Sequence, residues 1–305
     1  MRRFTFLAIC AAAATLGASA TAAPAADLLR YVPQDAEVVI GIDVQALTAQ
    51  PAFEKVYDRL DTSKFEAGIN ALYDITGVHL MQDIEALMFV GELRDEGQGA
   101  IVIRGNWNRA GLEDLVSWNP TYQTEEQGGK TMHIWWDENE SKQQHAVFVE
   151  DNVLVMSESA SQVWYVVEAA LDPAKSLKKA HPEVTAPEDA HAFLIAFRPE
   201  NDTHELVRNP LLGRLENVNL RLVAEETGVR AELEAAAMNP ADAPHLARIL
   251  EGFVAFCEMH DEQGANSPWS ISSKVSAKQV HAQIRIPLEN VVAGAPRLQQ
   301  LAKAE

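Results

Sequence analysis

Cysteine is almost missing from this chain: its 305 residues include two, Cys10 and Cys257. A small scaffold stapled by disulfides is therefore excluded, and stability has to come from packed apolar side chains. Long apolar runs are also scarce. The run from Phe4 to Leu16 falls short of the roughly 20 residues that a spanning helix needs, and no later run approaches that length. Basic residues are few, with 25 Lys and Arg against 44 Asp and Glu for a net charge of −19. Nucleic acid and anionic lipid are held by basic surface, so neither is expected as a partner.

Linear motifs that carry chemistry are lacking too. The sequence has no G-x-S-x-G, H-E-x-x-H, C-x-x-C, EF-hand loop or G-x-G-x-x-G, which removes the hydrolases, zinc proteases, redox proteins and dinucleotide enzymes that such motifs mark. Gly128-Gly129-Lys130-Thr131 imitates the end of a phosphate loop, but Thr124 stands where the first glycine belongs and a strand-like segment follows. His204-Glu205 has no second histidine four residues on, and His260-Asp261-Glu262 sits at a helix end. No metal ligand set, cofactor or catalytic residue is expected from these patterns.

What is present begins with an export signal. Arg2 and Arg3 precede the apolar run, and Ala18-Ser19-Ala20 follows it as a small-residue cleavage motif, with Ala20-Thr21-Ala22 as an equivalent site. The reading is a signal peptide over residues 1–22 and a mature chain that is periplasmic or secreted, without a transmembrane segment. Cys10 would leave with the signal. Cys257 lies on the apolar stripe of a helix, where a thiol acts as a small hydrophobe.

Two α+β units are read from the remaining pattern, at residues 23–172 and 189–305, with a linker at 173–188 rich in proline and lysine. In the first unit Ala36 to Val44 is a strand, and Pro51 opens a helix with Phe53, Val56, Tyr57 and Leu60 at helical spacing. A second helix carries Phe65, Ile69, Leu72 and Tyr73. A hairpin follows around Asp95-Glu96-Gly97, then a short helix from Arg109 to Val116 and strands joined by Gly128-Gly129. A closing helix places Val163, Val166, Val167, Ala170 and Leu171 on one face, with Ser159 as its cap.

After the linker the order restarts. Asp189 to Phe197 (DAHAFLIAF) echoes Asp35 to Asp43 (DAEVVIGID), and a hairpin turns at Glu226-Thr227-Gly228. A long helix then sets Leu246, Ile249, Leu250, Phe253, Val254 and Cys257 along one stripe. The last hairpin turns at Ala277-Lys278. Both halves approximate β-α-β-β-α-β-β-α, so a duplication is the economical explanation. Hairpins dominate, so the sheets should be mainly antiparallel with helices packed on one face.

Within the strand from Lys130 to Trp136, alternation separates Met132, Ile134 and Trp136 from Thr131, His133 and Trp135. With the first set in the core, His133 and Trp135 face outward and form the candidate binding pair.

The segments Tyr31-Val32-Pro33-Gln34-Asp35-Ala36, Pro51-Ala52-Phe53 and Ile286-Pro287-Leu288 resemble a group of exported bacterial proteins in which a Pro-x-Asp-Ala lead-in precedes a strand and a helix. That resemblance spans most of the mature chain and implies no catalytic residue. The expected function is a non-enzymatic periplasmic binding or scaffold protein for a protein, peptide or cell-envelope component. It would act through an open sheet face or a groove between the units. The alternatives are an envelope-directed hydrolase with carboxylates assembled by the fold, and a structural subunit of an envelope complex.

Overall fold

A computed structural model describes residues 24–59, 73–74, 76–91, 99–137, 141–181, 184, 190–197, 212–259 and 269–294. Several expectations lie outside them: the signal peptide, the helix of Phe65, Ile69 and Leu72, the turn Asp95-Glu96-Gly97, most of the linker after His181, His204-Glu205, His260-Asp261-Glu262 and the Cys257 side chain.

In chain order the main elements are β1 (Val38–Asp43), α1 (Pro51–Tyr57), β2 (Ile84–Gly91), β3 (Gly99–Gly105), α2 (Arg109–Ser117), β4 (Gln123–Gln127) and β5 (Lys130–Asp137). Then come β6 (Lys142–Glu150), β7 (Val153–Ser157), α3 (Ala160–Leu171), β8 (Ala192–Phe197), β9 (Leu215–Glu225) and β10 (Gly228–Ala237). The last are α4 (Ala243–Met259), β11 (Ser270–Ser276) and β12 (Gln279–Pro287).

The described residues fall into two compact units. The first draws on Ala22–Gln45 and Thr62–Ala186, the second on Ala46–Asp61 and Pro187–Glu305. Helix α1 therefore belongs with the second unit.

The first unit carries strands in the order β1-β2-β3-β7-β6-β5-β4, with each of these pairings antiparallel. The hairpin β4–β5 closes on Gln127 opposite Lys130, and both turn residues, Gly128 and Gly129, have positive φ. A side chain at either would strain the left-handed backbone that lets a two-residue turn match strand twist.

One row of cross-strand neighbours, Met88, Val102, Val155, Val147 and Met132, is almost entirely excluded from solvent. This is the core. Helix α3 turns Val163, Val166 and Val167 inward on it, while Leu171, expected on the same stripe, is exposed. The turn Leu28–Tyr31 is tied to β6, because Arg30 Nη2 and Tyr31 Oη both donate to Glu150 Oε1, at 2.7 and 2.8 Å. Pro173–Lys175 and Leu177–Ala180 form short helical turns that also dock here: Leu177 is buried, its N–H donates to Val32 O, and Gln34 N–H donates to Lys175 O.

The second unit carries five strands in the order β11-β12-β10-β9-β8, each of these pairings antiparallel. Its faces differ sharply. On one, α4 packs Ala243, Leu246 and Ala247 against Ala237 and Val280, and α1 places Val56 and Phe53 in a cluster with Ala224, Leu288, Val291 and Val292. Ile249, expected in the α4 stripe, is instead exposed. On the other face Arg221, Glu232 and Gln283 are direct cross-strand neighbours. Glu232 accepts from Arg221, Arg230 and Gln283, and Arg230 also pairs with Glu225 at 2.7 Å. Gly228 is required at the turn, since a Cβ there would meet Ile286 O at 2.1 Å.

The fold is thus a mainly antiparallel α+β architecture, as the hairpin pattern predicts. The helices are not confined to one face of the first sheet, because α2 lies against the face opposite the core row, as its contacts show below.

Candidate functional site

The second face of the first sheet is built from the residues that alternate with the core row. Across six strands, Ile40, Phe89, Ile101, Met156, Ala146 and His133 lie side by side, and Ile42, Leu87, Ile103, Leu154 and Phe148 form the adjacent row. Ile40, Leu87, Phe89, Ile101, Ile103, Leu154 and Met156 are each half-buried. A strand with large apolar residues on both faces follows directly from sequences such as IEALMFVG and GAIVIRG, in which polar alternation is missing.

His133 ends the first row. It was expected to face outward, but only 6% of its surface is exposed. The correction has a physical cause in α2, whose polar sequence RAGLEDLVS hides its role as a cover. Arg109 sets its guanidinium over the Phe148 ring at 4.9 Å, donates from Nε to Glu113 Oε1 at 2.7 Å and from Nη1 to Asp151 Oδ1 at 3.2 Å. Glu113 Oε1 comes within 3.6 Å of His133 Nε2. The Nδ1 atom shares a 2.9 Å hydrogen bond with Tyr122 Oη, whose ring stacks on the imidazole, and Phe148 meets the same ring edge-on. His133 Nε2 itself is buried without a hydrogen-bond partner among the described residues.

Burial holds the His133 imidazole below its ordinary pKa; Glu113 works against that, and Arg109 with it. Burial likewise raises the Tyr122 phenol, helped by the Glu113 carboxylate. The hydrogen bond to Glu113 raises Arg109 further. The cluster therefore sets an imidazole biased towards its neutral form beside the paired Glu113, Arg109 and Asp151. Neither ring nitrogen is presented to solvent, and the arrangement suits a support that fixes α2 on the sheet.

Trp135 shares the face of His133 and is half-buried. Trp136, assigned to the core by alternation, is 44% exposed, and Trp118 at the end of α2 is 69% exposed. The segment between them is pinned to β5: Asn119 Nδ2 donates to Trp136 O at 3.0 Å, and Trp136 N–H donates to Thr121 Oγ1 at 2.8 Å. His145 lies on the opposite face from His133, buried, with its pKa lowered by burial despite a hydrogen bond with the Ser157 backbone. Among the described residues no group of three or more His, Cys, Asp or Glu is arranged to hold a metal, and no helix is long and apolar enough to cross a membrane.

The class defined by fold and site is a mainly antiparallel α+β protein with an apolar second sheet face. No family model matches the chain, and no curated protein matches it. Among solved structures it is similar to crystal form III of TP0453, at 13% identity and a TM-score of 0.50, over 87% of this chain and 96% of that one. Crystal form I of TP0453 aligns at 14% identity and a TM-score of 0.46, over 89% and 97%. The likeness to form III extends to fold alone.

Proposed function

We propose that this chain is an exported, non-enzymatic binding protein that takes a protein or peptide partner on the second face of its first sheet. The observation that carries the reading is the half-buried apolar double row of Ile40, Phe89, Ile101, Met156, Leu87, Ile103 and Leu154 beside a fully buried core row. Apolar side chains left part-exposed side by side are a feature of interaction sites. Export is supported by the Arg2-Arg3 start, the apolar run and Ala18-Ser19-Ala20. His133 and Trp135 then serve the site differently: His133 anchors α2 at one end of the face, and Trp135 contributes contact area. The repeated hairpin order and the DAEV and DAHA strand openings support descent of the two units from one ancestor.

The hydrolase alternative needs two carboxylates in unlike surroundings at a shared cleft. Glu113 and Asp151 instead both pair with Arg109, which favours a structural role. A photo-crosslinking residue at Phe89 or Ile101 in the exporting host should capture one stoichiometric partner, and Ile103→Asp should abolish that capture. Equal capture from a probe at Arg285, on the charged face of the second sheet, would sink the reading.

A further inference from the structure

Among the described residues two strands are paired on one side only: β4 in the first unit and β11 in the second. Such an edge offers a row of free N–H and C=O groups to any extended chain unless the sequence guards it. Strand β4 is guarded. All five residues of QTEEQ are exposed, and the carboxylates of Glu125 and Glu126 project on opposite faces. Strand β11 is SISSKVS, with no proline, glycine or acidic residue of its own, and its register against β12 is unbroken by a bulge; a carboxylate reaches it from α4, where Glu251 accepts from Ser273 Oγ at 2.6 Å. Ile271 is half-buried and Val275 is exposed.

We propose that β11 pairs antiparallel with β11 of a second copy of this chain, about a dyad at Ser273. The parity of the ladder supports that register. The two-residue turn Ala277-Lys278 closes the hairpin on Ser276 opposite Gln279. Hydrogen-bonded pairs alternate along an antiparallel ladder, so Ser272, Lys274 and Ser276 direct their backbone groups to β12. Ile271, Ser273 and Val275 then direct theirs to the open edge. With the dyad at Ser273, these three residues meet their counterparts as hydrogen-bonded pairs: Ser273 with Ser273 of the second copy, and Ile271 with Val275 in both directions.

The side chains are palindromic about the same point. Ile271 and Val275 bring β-branched apolar groups together on one face, Ser272 meets Lys274 on the other, and Ser270 meets Ser276. A dyad at Lys274 would oppose two ammonium groups, and one at Val275 would leave Ile271 overhanging. Self-complementarity of this kind is what a two-fold interface requires. It selects a second copy over an unrelated strand. Both copies carry the same net charge of −19, and each brings the exposed Glu251 held by Ser273 towards the dyad, so screening should tighten the association as salt rises.

The test is sedimentation of the full chain across concentration and salt. The expected particle contains two chains. Ser273→Pro removes an outward N–H and the Ser273 Oγ bond to Glu251 but no bond to β12, a position where an edge strand tolerates proline, and should give a one-chain particle with an unchanged circular dichroism spectrum. Ser273→Ala controls for the lost Glu251 bond and should remain two-chain. Val275→Lys, which leaves the backbone intact, should weaken association about tenfold or more by taking an apolar contact from each side, and it decides the matter if the proline variant misfolds. A one-chain particle under all conditions, an open-ended polymer, or a two-chain particle that survives Val275→Lys would overturn the proposal.

Discussion

The two units treat the second faces of their strands in opposite ways. In the second unit, Arg221, Glu232, Arg230, Glu225 and Gln283 satisfy one another across three strands, so that face is complete as it stands. In the first unit the equivalent surface is a half-buried double row of isoleucine, leucine, phenylalanine and methionine, which gains free energy from being covered further. A face that balances its own charges gains little from further cover, whereas part-exposed apolar side chains gain from it.

The contrast can be sharpened within a single strand. Met88→Ala, on the fully buried row, should lower unfolding free energy by about 2–5 kcal/mol in urea. Phe89→Ala, one residue on and facing the other way, should cost clearly less despite its larger side chain. Equal losses would mean that both faces are core and would break the comparison.

On the charged face, Glu232→Gln should cost about 1 kcal/mol, since the pairs are partly exposed. A loss as large as that of Met88→Ala would show that the ladder is a buried network.

The smallest effect concerns pH. Burial depresses His133 and His145, so as pH falls below about 6.5 the unfolded chain takes up protons first and stability declines until the folded imidazoles also protonate. His133→Gln should flatten part of that slope and leave the part due to His145. An unchanged slope would mean that burial of His133 is not felt energetically.

Much of this architecture is legible in the sequence, because hairpins declare themselves through short apolar runs and turn residues. Gly128-Gly129, Glu226-Thr227-Gly228 and Ala277-Lys278 all sit at turns where expected. The candidate site is only half legible. The alternation in KTMHIWWD correctly separates Met132 from His133, but it carries no sign that α2 covers one and not the other. Arg109, Glu113 and Tyr122 are distant in sequence from His133 and share no motif with it, so their convergence is a property of the fold. Helical wheels misplace Leu171 and Ile249 for a related reason, since periodicity gives the direction of a stripe and not its width.

Helix α1 is made early in the chain, yet the surface that receives Phe53 and Val56 includes Leu288, Val291 and Val292 near the opposite end. While the protein is being synthesised, Phe53 and Val56 lack most of that surface until residues 288–292 have emerged. The apolar layer of the second unit can close only after residues 288–292 have been made. Any fragment beginning at residue 187 should emerge with a gap in its apolar layer, and adding a synthetic 46–61 peptide in trans is the direct way to fill it.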